Sequence, residues 1–286
     1  MRHDFLIIAR AKKKESVVEI EQLNQKKNCL QSSVDVVIPT FNSSKSIQNA
    51  VDSCKGQTKS IRKIIIVDDG SDKSEVDFLK SNYLEDSQIE LILNYHTGLP
   101  GVGRSIGIQK TSAYWIAFLD SDDYWSPDKI ERQTEYAHQN RCDAVYTNAI
   151  SFNDTGNLGM FHKSLPRRLT FEDLIETNWV INSSVIIKGD ILRQNIEYAA
   201  SSRVRAVEDY ATWLRIAPFY SFEGINLPLT YYCQSTGSIR LSDNQDPRIF
   251  ALSDFILWSK EQEKLTAKSY KKERKTAIKM IRRQYE

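Results

Sequence analysis

Residues 115–125 read Trp-Ile-Ala-Phe-Leu-Asp-Ser-Asp-Asp-Tyr-Trp, five apolar residues running straight into acid. Residues 115–119 show no polar alternation and hold neither glycine nor proline, so they predict a strand covered on both faces. Such a strand needs helices above and below its sheet, which narrows the chain to a layered α/β architecture. In open sheets of that class ligands bind outside the carboxyl ends of the strands, which is where Asp120, Asp122 and Asp123 fall. Side chains at i and i+2 of an extended chain lean the same way, so Asp120 and Asp122 can converge on one cation. Carboxylates this close repel unless neutralised, and a hard divalent ion bridging substrate phosphates would neutralise them. The competing reading is an acidic turn before a helix, with Asp123 and Ser126 as caps ahead of Pro127.

The same pattern recurs upstream. Residues 34–39, Val-Asp-Val-Val-Ile-Pro, predict a buried strand that breaks into the turn Thr40-Phe41-Asn42-Ser43-Ser44. Ile47, Val51 and Cys54 then recur at helical spacing. Residues 61–67 predict a β-branched strand ending in Asp68-Asp69-Gly70-Ser71. A helix over 76–84, a strand over 89–94 and a helix over 106–111 lead into the strand 115–119. Downstream, the pattern predicts a helix to about Asn140, strands at 144–147 and 184–188, a helix over 208–217 and an extended segment at 227–234. Turn signals at 153–157 mark an irregular lobe. This alternation predicts a mainly parallel, doubly wound sheet with helices on both faces, delivering polar groups from three strand ends to one edge.

Composition sets limits on function. With 41% hydrophobic and 27% charged residues the chain is ordinary for a globular protein, and a formal charge of +2 excludes a global field for nucleic acid. The cysteines at 29, 54, 142 and 233 form no Cys-x-x-Cys pair, which favours reduced thiols and argues against zinc. Residues 5–9 are too short for a signal-peptide core, and nothing approaches the roughly 18 apolar residues of a membrane span. The expected location is the cytoplasm, at or near the inner face of its membrane. Residues 260–286 carry ten basic residues against four acids, a net +6. This tail is either a solvated helix or a basic face for an anionic membrane surface.

Gly101-Val102-Gly103 with Gly107 does not match the dinucleotide fingerprint in spacing or position. It predicts a loop needing positive φ, with Arg104 available to an anion. Residues 120–123 lack the glycine and distal glutamate of an EF-hand loop. Glu208-Asp209 opens a predicted helix, where acids often serve only the helix dipole. Trp179 and Trp258 read as packing residues.

Taken together, Val36-Val37-Ile38-Pro39-Thr40-Phe41-Asn42, Val67-Asp68-Asp69-Gly70-Ser71, Arg104, Phe118-Leu119-Asp120-Ser121-Asp122-Asp123 and Glu208-Asp209 resemble glycosyltransferase family 2 over roughly residues 33–240. Asp123-Tyr124-Trp125-Ser126-Pro127-Asp128-Lys129 resembles its smaller bacterial members. The resemblance implies a GT-A fold and an inverting transfer of one sugar from a UDP-sugar, with Mn²⁺ or Mg²⁺, to a glycan or lipid-linked acceptor of bacterial surface polysaccharide. It implies that Thr40 and Phe41 hold and stack on the uracil, that Asp68 or Asp69 accepts from its ring with Arg104 nearby, that Asp120 faces the ribose or the metal, and that Pro39 and Ser121 belong to the same nucleotide-binding set. Asp122, with Asp120, would ligate the metal. Asp209 would be the catalytic base, with Glu208 as its substitute.

The implied layout is a polar, weakly helical leader over 1–33, a catalytic domain over 34–258 and a basic helix over 259–286. The domain divides into a nucleotide-binding half, 34–125, and an acceptor-binding half, 126–258. The sequence departs from the family pattern in three places. Cys233 and Ser235 stand where members often carry an arginine and a metal-binding histidine, Ser105 replaces a frequent asparagine, and the Gln-x-x-Arg-Trp motif of processive synthases is absent. Two other functions stay open: a sugar-phosphate nucleotidyltransferase, and a non-catalytic nucleotide- or glycan-binding relative. Pyrophosphate release would reveal the first, and absence of UDP release from donor plus metal the second.

Overall fold

The computed structural model describes residues 32–195, 198–234, 246–266 and 269–284. Most of the expected leader, Cys29 and Ser235 lie outside them. The chain builds one sheet whose path runs β3-β2-β1-β4-β9-β6-β10-β5. Its strands are β1 (Val34–Thr40), β2 (Lys63–Asp68), β3 (Ile89–Leu93), β4 (Trp115–Phe118), β5 (Tyr124–Trp125), β6 (Ala144–Asn153), β7 (Gly156–Met160), β8 (Arg168–Leu169), β9 (Ile186–Lys188) and β10 (Phe222–Cys233). β3, β2, β1 and β4 are mutually parallel, and β6 is parallel to β10, while β9 and β5 pair antiparallel. The fold is therefore α/β with a mixed, mostly parallel central sheet, as the strand–helix alternation implied.

Burial on both faces follows from the apolar runs. Val34, Val36 and Ile38 of β1 point into a core with Ile64, Ile66, Trp115 and Ala117. This core is closed by α1 (Ile47–Lys55), α2 (Lys73–Tyr83) and α4 (Lys129–Asn140). Val37, Ile65, Ile116 and Phe118 point the other way, into a larger core that holds α3 (Pro100–Lys110), α5 (Phe171–Glu176) and α6 (Glu208–Ile216). The same core takes in α7 (Pro247–Leu265) and α8 (Lys271–Arg283) through Phe255, Trp258 and Tyr270. The basic tail is thus carried on two helices. Trp258, 6% exposed, is a packing residue as expected.

Three expectations change. Residues 100–110 are helix α3 rather than a loop, and only Gly98 before it takes a left-handed φ of 66°. The glycines inside α3 serve close packing: a Cβ on Gly107 would lie 2.3 Å from Val37 Cγ1, and one on Gly101 2.3 Å from the Ala199 carbonyl. Residues 144–160 form the long strand β6 and a hairpin with β7, because Asn153 closes a turn onto Thr155 that reverses the chain. The acidic turn does not cap a helix. Helix α4 begins beyond it with Asp128 as its N-cap, and Ser126 Oγ donates to Asp128 Oδ1 at 2.7 Å. Asp123 turns inward instead, 1% exposed, and accepts the Cys233 N–H at 2.7 Å.

Candidate active site

The chain runs outward from β1 to β2 to β3, then returns to lay β4 on the other side of β1. This reversal opens a crevice at the carboxyl edge, where an open parallel sheet binds its ligands. A cleft of about 520 Å³ lies there, lined by Pro39, Thr40 and Phe41 at the end of β1, Asp69 after β2 and Asp120, Ser121 and Asp122 after β4. Glu208 and Asp209 at the start of α6, and Tyr232 and Cys233 at the end of β10, complete its far wall.

The loops at this edge are tied together. The Asn42 N–H donates to Ser71 Oγ at 2.8 Å, and the Asp72 N–H donates to Asn42 Oδ1 at 2.9 Å. Asp69 accepts the Gly98 N–H at 2.8 Å and the Thr97 N–H and hydroxyl at 2.9 and 2.7 Å. That carboxylate therefore organises the segment after β3, and the His96 ring stacks on Phe41 with centroids 4.4 Å apart. Phe41 remains 45% exposed, a large apolar ring open to a ligand. Asp68 is buried and does not line the cleft: its Oδ2 accepts the Ser71 N–H, and its Oδ1 has no partner among the described residues.

Arg104 joins the two walls. Its Nη2 donates to Asp120 Oδ1 and its Nη1 to Glu208 Oε1, both at 2.6 Å. Only 5% exposed and doubly paired, it is committed to these carboxylates rather than available to an anion. Asn182 Nδ2 donates to the same Asp120 oxygen at 2.9 Å and is itself fixed by the Tyr198 hydroxyl at 3.0 Å. Asp209, beside Glu208, is half-buried in the cleft wall. Burial, reinforced by the charge of Glu208, pushes its carboxyl up to about 7 against the opposing pull of Arg104. Asp123 is held well above the usual carboxylate range by burial, with Asp122 and Asp120 pushing the same way.

The donor set bears on a metal. Among the described residues no group of three or more histidine, cysteine, aspartate or glutamate side chains is arranged to hold an ion alone. Mg²⁺-type sites seldom need one, since one or two carboxylates plus substrate phosphates suffice. Asp120 and Asp122, two residues apart on the cleft wall, fit that mode.

Sequence reasoning missed His96, Asn182, Tyr198, Arg205 and Tyr232. His96 follows a strand end, as the residues found do, so position alone could have exposed it. Asn182 and Tyr198 carry no local signal, because only the packed fold brings them to Asp120.

A parallel sheet whose carboxyl edge gathers an exposed aromatic ring, strand-end carboxylates and a carboxylate pair on a facing helix places this chain among α/β proteins that bind a ligand at that edge. The family profile described as Glycosyl transferase family 2 matches residues 35–189, more than half of the chain, and the protein belongs to that family of enzymes. The sugar-nucleotide-forming alternative is thereby set aside. Among its relatives is the Escherichia coli UDP-Glc:α-D-GlcNAc-diphosphoundecaprenol β-1,3-glucosyltransferase WfaP, 31% identical over 72% of this chain and 79% of that protein. The E. coli enzyme WfgD, named for the same activity, is 28% identical over 68% of this chain and 73% of its own. Among solved structures, S. aureus TarS 1–349 in complex with UDP-GlcNAc superposes with a TM-score of 0.64 at 18% identity. That match covers 79% of this chain and 66% of that one, and it shows the shared GT-A fold.

Proposed function

We propose that the protein transfers one sugar from a UDP-sugar to a hydroxyl of a lipid-linked saccharide, with inversion and a divalent metal, in bacterial surface polysaccharide synthesis. The observation that carries this reading is the meeting of Phe41, Asp69, Asp120, Asp122 and Asp209 in one cleft. The names of WfaP and WfgD supply the acceptor class.

On this reading Phe41, backed by His96, stacks on the uracil, and Thr40 holds its edge. Asp69 reaches the ring through the segment it organises, with Asp68 buried beneath as support. Asp120 and Ser121 face the ribose. Asp122 and Asp120 hold Mn²⁺ or Mg²⁺, which would offset the charge that develops on the leaving diphosphate. Asp209 takes the proton of the acceptor hydroxyl, and a carboxyl near 7 suits a base working near neutrality. Glu208, engaged by Arg104, holds the start of α6 rather than taking that proton. Attack from the face opposite the leaving group inverts the anomeric carbon, so one base suffices.

The layout is the leader to residue 33, the catalytic domain 34–258 and the basic tail beyond it, with the chain working at the cytoplasmic face of the membrane that presents its acceptor. The test is UDP release from a panel of UDP-sugars, with and without Mn²⁺, in the presence of a GlcNAc-diphospho-lipid. Acceptor-dependent release supports the reading, and no release from any donor ends it.

A further inference from the structure

The cleft concentrates negative charge, since Asp69, Asp120, Asp122, Glu208 and Asp209 all line it. Arg104, buried in its wall, is already spent on Asp120 and Glu208. Arg205 differs. It lines the same cleft, is exposed, and its guanidinium has no ion pair among the described residues. It stands four residues before Asp209, on the segment leading into α6. Ala206 beside it also lines the cleft and is held at φ 69°, a left-handed conformation that a non-glycine residue keeps only when its surroundings enforce it.

We propose that Arg205 is a diphosphate-binding residue, resting on the transferase reading. A diphosphate entering a cleft lined by five carboxylates is repelled unless cations compensate, and Arg205 offers donors not already committed elsewhere. The planar guanidinium fork matches phosphate oxygens with two parallel charge-assisted hydrogen bonds. Two diphosphates reach this cleft in the proposed reaction, that of the nucleotide donor and that of the lipid-linked acceptor. Arg205 sits on the wall that carries the base, where both can pass.

The experiment titrates UDP, uridine and a short-chain GlcNAc-diphospho-lipid into wild type, Arg205→Ala, Arg205→Lys and Arg203→Ala by calorimetry with Mg²⁺ present. Arg203 is exposed and does not line the cleft, so its removal deletes the same charge two residues away. Arg205→Ala should weaken at least one diphosphate about ten- to hundredfold, the loss of one charged hydrogen-bonding contact, while uridine is unaffected. Arg205→Lys should recover part of the loss, and Arg203→Ala should show none. Loss confined to UDP assigns the donor diphosphate, and loss confined to the lipid assigns the acceptor diphosphate. Unchanged binding of both, or an equal loss for uridine, overturns the proposal. Wild type that binds no UDP overturns the transferase reading itself and is told apart by that.

Discussion

Asp209 and Lys129 show how burial sets the behaviour of single groups. In its proposed role as base Asp209 must be ionised, and its carboxyl is raised to about 7, so on that reading protons compete with catalysis below neutrality. Transfer should therefore climb about tenfold per pH unit up to about 7 and then level off. Asp209→Asn should lower kcat by about 10²–10⁴ and abolish that limb, with UDP affinity within about twofold of wild type. A full pH limb and near-normal kcat in the variant would remove Asp209 from the base role. Lys129 is fully buried, donates to Gln133 Oε1 at 2.7 Å and lies 4.1 Å from the Trp125 ring centre, with no acid as partner among the described residues. Burial pushes its ammonium down to about 7. Unfolded lysine holds its proton to about 10.4, so between these values the unfolded chain binds more protons and folding gains stability as pH rises. Lys129→Met, which lacks the buried charge, should be more stable than wild type at pH 6 by a margin that shrinks by pH 9. Thermal melts at the two pH values check this, and a constant margin would refute it.

Helices α3 and α8 are placed by opposite demands. Helix α3 lies so close to β1 that its glycines touch strand side chains and neighbouring backbone. A methyl on Gly107 meets Val37 at 2.3 Å, far inside contact distance. Gly107→Ala should cost about 1–3 kcal/mol by overpacking, despite alanine's better helix propensity, and lower Tm by several degrees. A stabilised variant would show that the strand yields more easily than packing density allows. Helix α8 buries Ala277 and Met280 and turns Lys271, Lys275, Ile278, Lys279 and Arg282 outward at helical spacing. It carries seven basic residues against one acid, a net +6 in a chain of net +2, so the remainder sums to −4. A juxtamembrane lysine contributes about 1 kcal/mol toward an anionic surface. On the proposed membrane contact, Lys271→Glu, Lys275→Glu and Lys279→Glu together should release the protein from phosphatidylglycerol vesicles and leave UDP binding unchanged from wild type. Co-sedimentation with neutral and anionic vesicles measures this, and equal partition to both would sink membrane contact through α8.

Across the fold, the buried ion pairs of Arg104 span from the acidic turn after β4 to the start of α6. Arg104→Met removes the shared cation and leaves the Glu208 side chain, 9% exposed, without its partner, with Asp120 more open at 28%. The expected cost is about 3 kcal/mol, near the low end for a broken buried pair because Asp120 keeps some water. Chemical denaturation measures it, and a loss below about 1 kcal/mol would mean that the acidic turn and α6 are joined by packing alone. The same network sets the surroundings of Asp209, so the proposed base role links activity to the stability of this network.

The strand ends were legible because continuous apolar runs force two-sided burial, and polar groups stopping such runs must emerge at one edge. That logic located Thr40, Phe41, Asp69, Asp120 and Asp122 and the layered sheet, since period and burial are local properties. Arg104 was found but misread, because a glycine-rich stretch reads as loop until packing reveals why small residues are needed there. Asn182 and Arg205 reach the cleft from far along the chain, with Tyr198 behind Asn182, and no local pattern encodes a contact closed over such separations. Short-range chemistry along the chain thus settled the elements and the acids they end in. Which carboxylate is paired, which is raised by burial, and which arginine faces the cleft followed only from folding, since charge partners are chosen by distance in space.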